Sequence, residues 1–289
     1  MIVFDDGKRV KELISLWRNC FNIEKDFEKF FFGEIYNPRD TLLYLVNNEI
    51  AASMMNLPYE IIINGETFRI SYMYGVCTKP EYRGQGFMRQ MLEYSFDMLR
   101  EKEVPLAVLR PEQENLFDMY SKFGFESVFH LSYGQVKKVN SKAPGNITRL
   151  NNSKINKYKN EMNLIYDKVF GGINRIKRTP EYFYRVANDY ISEGQSVYGY
   201  IEDGIITGYC FVTESNNITT IDEAAGIKEI VKQALIHYIG VKNDKDIYLK
   251  DYFSGKHKRY AMAKPLNTLG DNLMMSLKKD KGYFNLMFE

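Results

Sequence analysis

The sequence predicts an α/β chain in which a mixed, largely antiparallel sheet flanked by helices is built twice in tandem. Three observations carry that expectation. Over the first ~140 residues the apolar positions alternate between a helical three-and-four period and strand-like runs, in the order helix, four strands, helix, strand, helix, strand. The segment NSKAPGNITRLNNSK, residues 140–154, then interrupts all periodicity. Beyond it the strand-rich plan resumes, and GYIEDGIITG (199–208) aligns without a gap to YLVNNEIAAS (44–53), the two turns within one position of each other. The boundary is placed after residue 143, giving domains 1–143 and 144–289.

Each element has its own signal. Val10, Leu13, Ile14, Trp17 and Phe21 recur at helical steps and predict one amphipathic helix from Gly7 to Phe31. TLLYLVNNEIAASMMNL and EIIINGETFRISYMYGV read as two hairpins turning at Asn47-Asn48 and Asn64-Gly65, hence four antiparallel strands ending near Thr78. Pro80 cannot donate a ladder hydrogen bond and must end the last of them. The helical period returns from Gly86 to Lys102, followed by the strand VPLAVLR and the helix ENLFDMYSKF, which Gly124 can close as a left-handed cap. FESVFHLSYGQVKKV is a closing strand or pair. In the second half, helices are expected at Ile155–Val169, Pro180–Asp189 and in IKEIVKQALIHYIG. Strands are expected in SVYGYIEDGIITGYCFVT, NITTIDEAA, DIYLKDYF and YAMAKPLN.

Composition excludes several classes. Lys and Arg number 39 against 37 acidic residues, so no global field would gather nucleic acid or an acidic membrane, and any anion site must be local. Cys20, Cys77 and Cys210 are too few and too scattered for a disulfide framework, which fits a reducing compartment. His130, His237 and His257 lack metal-ligand spacing, so no metal is expected. No apolar run long enough to span a bilayer and no signal-peptide core is found, so the expectation is a cytoplasmic protein.

The chemistry points to PEYRGQGFMRQMLEY, residues 80–94. A glycine turn leading into a helix N-terminus offers inward amides and a partial positive charge to a phosphate. The same two glycines would also serve a plain strand-to-helix connection. What surrounds the turn is YGVCTKPEY before it and AVLRPEQENLFDMYSKFGFE after it. Together these resemble the GNAT superfamily of acyl-CoA-dependent N-acyltransferases, whose signature is R/Q-x-x-G-x-G/A after a strand and then Tyr-x-x-x-Gly-Phe. Arg83, Gly86 and Met88 fill the first pattern; Tyr120, Gly124 and Phe125 fill the second. Met88 is large where the superfamily has a small residue. That departure is similar to the Eis (enhanced intracellular survival) type, with tandem GNAT domains, although this chain is too short for that type's C-terminal sterol-carrier-like domain. The resemblance covers residues 1 to about 265.

The resemblance implies an N-acetyltransferase with acetyl-CoA as donor and a primary amine of a small molecule or a protein lysine as acceptor. It places the pantetheine arm on the amides of Val76, Cys77 and Thr78 and the pyrophosphate on the turn through Gly84, Gln85, Gly86, Phe87, Met88 and Arg89. Further cofactor contacts fall on Asn115 and Leu116. Tyr120 takes the position of the general acid to the CoA sulfur; one of 22 tyrosines, it could also simply pack. The base is open between the Glu289 carboxylates, on the apolar tail KGYFNLMFE, and active-site water. Arg89 reads either as a phosphate contact or as a solvated helix charge, and Cys77 as a small hydrophobe. A homo-oligomer is left open. The alternatives are a CoA-binding sensor without turnover, or an acyltransferase with a different acyl donor.

Overall fold

The computed structural model describes residues 1–136, 145–215, 217–242, 245–251, 257–280 and 282–285. The chain divides into two compact units, each assembled from two segments. Unit 1 is Met1–Phe129 with Tyr260–Lys281, and unit 2 is His130–Arg259 with Gly282–Glu289. A cut after residue 143 would instead give each domain one continuous segment.

Unit 1 opens with β1 (Ile2–Phe4), α1 (Val10–Phe21) and α2 (Lys25–Phe30). The single helix expected from Gly7 to Phe31 is therefore two, because Asn22 turns left-handed at φ 53° and caps α1 through its amide on the Arg18 carbonyl. A short π-helical turn, Phe31–Ile35, follows α2. Next come β2 (Thr41–Val46), β3 (Glu49–Ile63) and β4 (Glu66–Thr78). The four strands expected here are three, since β3 runs unbroken through Pro58. That proline lies three residues past Met55, where the β2 ladder ends, so its missing N–H interrupts no bond to β2.

Parallel strands need a crossover, and α3 (Phe87–Glu101) supplies it between β4 and β5 (Leu106–Leu109). Helix α4 (Glu114–Ser121) and β6 (Glu126–Gln135) follow. The β6 segment is one strand, and it passes from unit 1 into unit 2. Gly124 is left-handed at φ 84°, as the helix stop after α4 requires. The apolar face of α3, with Met91, Leu92, Phe96 and Leu99, packs with Ala52, Met54, Met73, Leu109, Phe117, Tyr120 and Phe125 into the main core of unit 1.

Unit 2 contains β7 (Ile147–Arg149), α5 (Asn152–Phe170), β8 (Arg175–Ile176), α6 (Pro180–Ser192), β9 (Ser196–Glu202), β10 (Ile205–Ser215), β11 (Ile218–Gly226), α7 (Glu229–Lys242) and β12 (Asp246–Asp251). The strand β13 (His257–Pro265) then leads back into unit 1 and is followed by α8 (Thr268–Lys279). No sequence signal above anticipated α8. It packs so closely that a Cβ at Gly270 would lie 2.1 Å from the Pro105 carbonyl oxygen.

Strand order exposes a duplication. In unit 1 it is β1-β2-β3-β4-β5-β13, and in unit 2 it is β7-β9-β10-β11-β12-β6. Each series runs antiparallel, antiparallel, antiparallel, parallel, antiparallel. The Asn47-Asn48 and Asp203-Gly204 turns both place two consecutive residues at positive φ, the type I′ geometry of a two-residue hairpin. The sixth strand is exchanged: β13, late in the chain, completes the first series, and β6, from the first half, completes the second.

Candidate active site

Strand β4 is the frame of the site, and its register is interrupted. Met55 pairs with Tyr74 and Ser53 with Cys77, so Gly75 and Val76 together face Met54. This is a β-bulge, with Gly75 at φ 60°. It reverses the alternation of side chains. Met73 packs into the core beneath α3, whereas Cys77, which an unbroken period of two would send to the same face, meets Ser53 on the other (Oγ to Sγ 3.3 Å).

Trp17 of α1 occupies that other face. Its indole N–H donates to Ser53 Oγ at 3.2 Å, and a Cβ on Gly75 would lie 2.2 Å from the indole ring. Phe31 and Tyr74 complete the aromatic cluster, their rings stacked at 5.2 Å. A ladder also ends just before the bulge. The β4–β5 pairing covers only Ile70–Tyr72 against Leu106–Val108, so the β4 residues from Met73 to Thr78 have no β5 partner. Val76, Cys77 and Thr78 therefore lie on a strand whose β5-facing side is unpaired.

The chain then turns. Lys79 N–H donates to the Ala51 carbonyl, Pro80–Tyr82 form one 3-10 turn, and Arg83 Nε donates back to the Thr78 carbonyl at 3.1 Å. Gly84 and Gly86 have φ 78° and 80°, and a Cβ at either would meet nothing within 4 Å. The requirement for glycine here is conformational, and the space before the turn is open. Helix α3 starts at Phe87 with no side-chain cap and no acidic residue in its first turn. Its first amides and its dipole thus face outward beside exposed Gln85 without a carboxylate to neutralise them.

Two contacts missed in the sequence fix this helix start. Tyr44 stacks on Phe87 at 4.1 Å, and its hydroxyl donates to Gln90 Oε1 at 3.0 Å. Met88 packs against the unit 1 core, and Arg89 lies 5.0 Å over the Phe123 ring and 3.8 Å from Glu93. The Arg89 guanidinium is thus held along α3.

On α4, Asn115 is exposed in the first turn, and Leu116 packs against the same core as Val76 and Tyr120. Tyr120 is buried, its ring edge-on to Phe125 at 5.9 Å, and its hydroxyl bonds to no other described residue. Burial, with a smaller contribution from Cys77, pushes its phenol up to about 12. It is fully protonated at neutral pH. Glu289 lies outside the described residues. Among the described residues no group of three or more His, Cys, Asp or Glu could hold a metal ion, and no helix is long and apolar enough to cross a membrane.

The structure thus brings Val76, Cys77, Thr78 and the turn through Arg89 into one continuous stretch of unit 1, and places Leu116 and Tyr120 on the core that Val76 borders. Trp17, Tyr44 and the Gly75 bulge went unread in the sequence. A lone glycine inside a strand pattern, as in SYMYGV, is the signal that could have found the bulge.

Residues 6–128 match the model of the acetyltransferase (GNAT) domain. No curated protein sequence matches the chain. Among solved structures, a probable N-acyltransferase from Enterococcus faecalis is 18% identical with a TM-score of 0.76, over 92% of this chain and 72% of that one. A GCN5-related N-acetyltransferase from Anabaena variabilis is 14% identical with a TM-score of 0.74, over 93% and 74%. Eis1 from Mycobacterium abscessus is 10% identical with a TM-score of 0.64, over 92% and 74%. At these identities the solved structures speak for the fold, and the family model for the acetyltransferase domain.

Proposed function

We propose, on the premise that residues 6–128 form a GNAT acetyltransferase domain, that the protein moves an acetyl group from acetyl-CoA to a primary amine of a small molecule or a protein lysine. One observation carries the reading: the unpaired β4 stretch runs directly into an uncapped helix start behind two left-handed glycines. The first suits an amide-bearing arm that can hydrogen-bond as an added strand, the second a diphosphate. Acetyl-CoA has both parts, and it enters here as donor substrate.

Acyl transfer asks three things of the protein: an acceptor amine that is neutral, donors for the oxyanion and help for the departing thiolate. The β4 amides beside Val76 are fixed donors for the second. Tyr120 answers the third: burial keeps its phenol protonated at neutral pH, so that it can serve as the acid that donates to the departing thiolate.

The test is thiol release from acetyl-CoA in the presence of a panel of primary amines. Turnover is expected with at least one amine. The variant Tyr120→Phe should lower kcat by about 10²-fold or more, with KM for acetyl-CoA and the melting temperature unchanged, because the hydroxyl has no partner among the described residues. Tight CoA binding with no turnover on any amine would overturn the enzymatic reading and leave a CoA-binding sensor. Turnover with longer acyl-CoAs alone would replace the donor.

A further inference from the structure

Cys20 and Cys77, 57 positions apart in the sequence, are brought together where α1 crosses the end of β4. The two thiols lie near enough to influence each other's ionisation. Cys20 Sγ also reaches the Thr78 carbonyl at 3.6 Å, and Cys77 Sγ lies 3.3 Å from Ser53 Oγ. The guanidinium of Arg83, the signature arginine of the turn, donates to the same Thr78 carbonyl at 3.1 Å, which brings its charge beside Cys20. Cys20 is part-exposed, whereas Cys77 and Cys210 are buried.

We propose that Cys20 and Cys77 are a site of reversible oxidation, joined on exposure to peroxide by a disulfide that ties α1 to the proposed pantetheine strand and weakens CoA binding. Nothing in the acyl transfer uses this pair. The asymmetry of the two thiols suits the chemistry. Cys20, part-exposed beside Arg83, is the thiol that peroxide can reach, and its titration is drawn down by Cys77 and then Arg83, whereas buried Cys77 is raised by Cys20 and by burial. Glu81 is the other charged group that bears on Cys20, in the raising direction.

The Cys20 thiolate attacks one peroxide oxygen, the O–O bond breaks, and hydroxide leaves Cys20 as a sulfenic acid. The Cys77 sulfur then attacks the Cys20 sulfur; its proton and the sulfenic hydroxyl depart as water. Two electrons pass from the thiol pair to the peroxide, and a dithiol restores the pair by exchange. An S–S bond of about 2.05 Å ties α1 to β4 at Cys77, between Val76 and Thr78. It also removes the Cys20 thiolate beside the Arg83 charge.

The affinity arm rests on the proposed CoA site; the chemical arm does not. The protein is treated with hydrogen peroxide, cleared with catalase and digested without reductant, and its affinity for the thiol-free analogue desulfo-CoA is measured before and after. A Cys20–Cys77 cross-linked peptide is expected, with a mass loss of about 2 Da and Cys210 left free. Desulfo-CoA affinity should fall about tenfold, recover with dithiothreitol, and be insensitive to peroxide in Cys20→Ser. Absence of the cross-link overturns the oxidation site, and a cross-link with unchanged affinity overturns the switch. Failure of the reduced protein to bind desulfo-CoA would instead strike the CoA site, with the cross-link judged on its own.

Discussion

The proposed chemistry depends on one residue without a side chain. Gly75 is left-handed and lies under the Trp17 indole, and both features belong to the bulge just past the end of the β4–β5 ladder. Gly75→Ala would pay twice. A left-handed non-glycine costs roughly 1–2 kcal/mol, and overpacking against a buried ring about 1–3 kcal/mol more. A loss of about 2–5 kcal/mol in urea unfolding is expected, with Trp17→Leu in the same chain recovering the overpacking part. Destabilisation by only a few tenths of a kcal/mol would mean that Trp17 does not set the bulge. Hydropathy alone could not show this. Tyr74, Gly75 and Val76 look like an ordinary strand until the register places two residues against one.

Elements were legible where a period was long and local, and illegible where tertiary contacts decided. The Arg83-Gly84-Gln85-Gly86 turn and helices α3 and α4 declare themselves by glycine spacing and helical period. The joining of AASMMNL and EIII into one strand does not, because Pro58 reads as a break until the ends of its neighbours are known. Nor does the split after α1, which turns on one left-handed asparagine.

Helix α6 carries a prediction of its own. Asp189 is buried on it, its Oδ1 lacks a hydrogen-bond partner among the described residues, and burial, then Glu193, raises its carboxyl from 3.8 to about 7. The folded value lies above the unfolded one. Stability from this group is therefore full below about pH 4, falls as pH rises through 7 and is flat beyond, a total on the order of 4 kcal/mol. Asp189→Asn should abolish most of that decline, so that its advantage in unfolding free energy over wild type grows between pH 5 and pH 8. Parallel pH profiles for the two proteins would exclude Asp189 as the titrating group.

At the scale of the molecule, the two strand series follow one plan with the sixth strand exchanged. Sequence periodicity identifies β6 and β13 as strands but cannot assign partners, since either series offers a strand running the right way. Only the first copy carries the glycine turn; in the second, β11 leads to α7 through Gly226-Ile227-Lys228.

The second copy is built around a buried ion pair. Arg178 and Glu223 meet at 2.6 Å and 2.9 Å, Tyr209 donates to Glu223 at 2.8 Å, and Tyr283 donates to its other oxygen. Arg178 also donates to the Asn285 carbonyl at 2.6 Å, and the Asn285 amide to the Asp222 carbonyl at 3.1 Å. Ending the chain at Asp280 removes these partners together with buried Phe284, and should destabilise unit 2 by more than about 5 kcal/mol. Ending it at Asn285 keeps them. If the Glu289 carboxylates are the base, this shorter cut lowers kcat at least ~100-fold without changing the melting temperature; unchanged turnover would leave water as the proton path.

The central claim is that the turn after β4 holds the CoA diphosphate, and calorimetric titration of CoA into wild type, Gly86→Ala and Gly86→Trp tests it most directly. Both substitutions incur the same left-handed strain, about 1–2 kcal/mol, so their melting temperatures should match. Only Trp fills the open space before the helix. The account predicts CoA affinity within about tenfold of wild type for Gly86→Ala and no detectable binding for Gly86→Trp; wild-type affinity in a folded Gly86→Trp protein would contradict it.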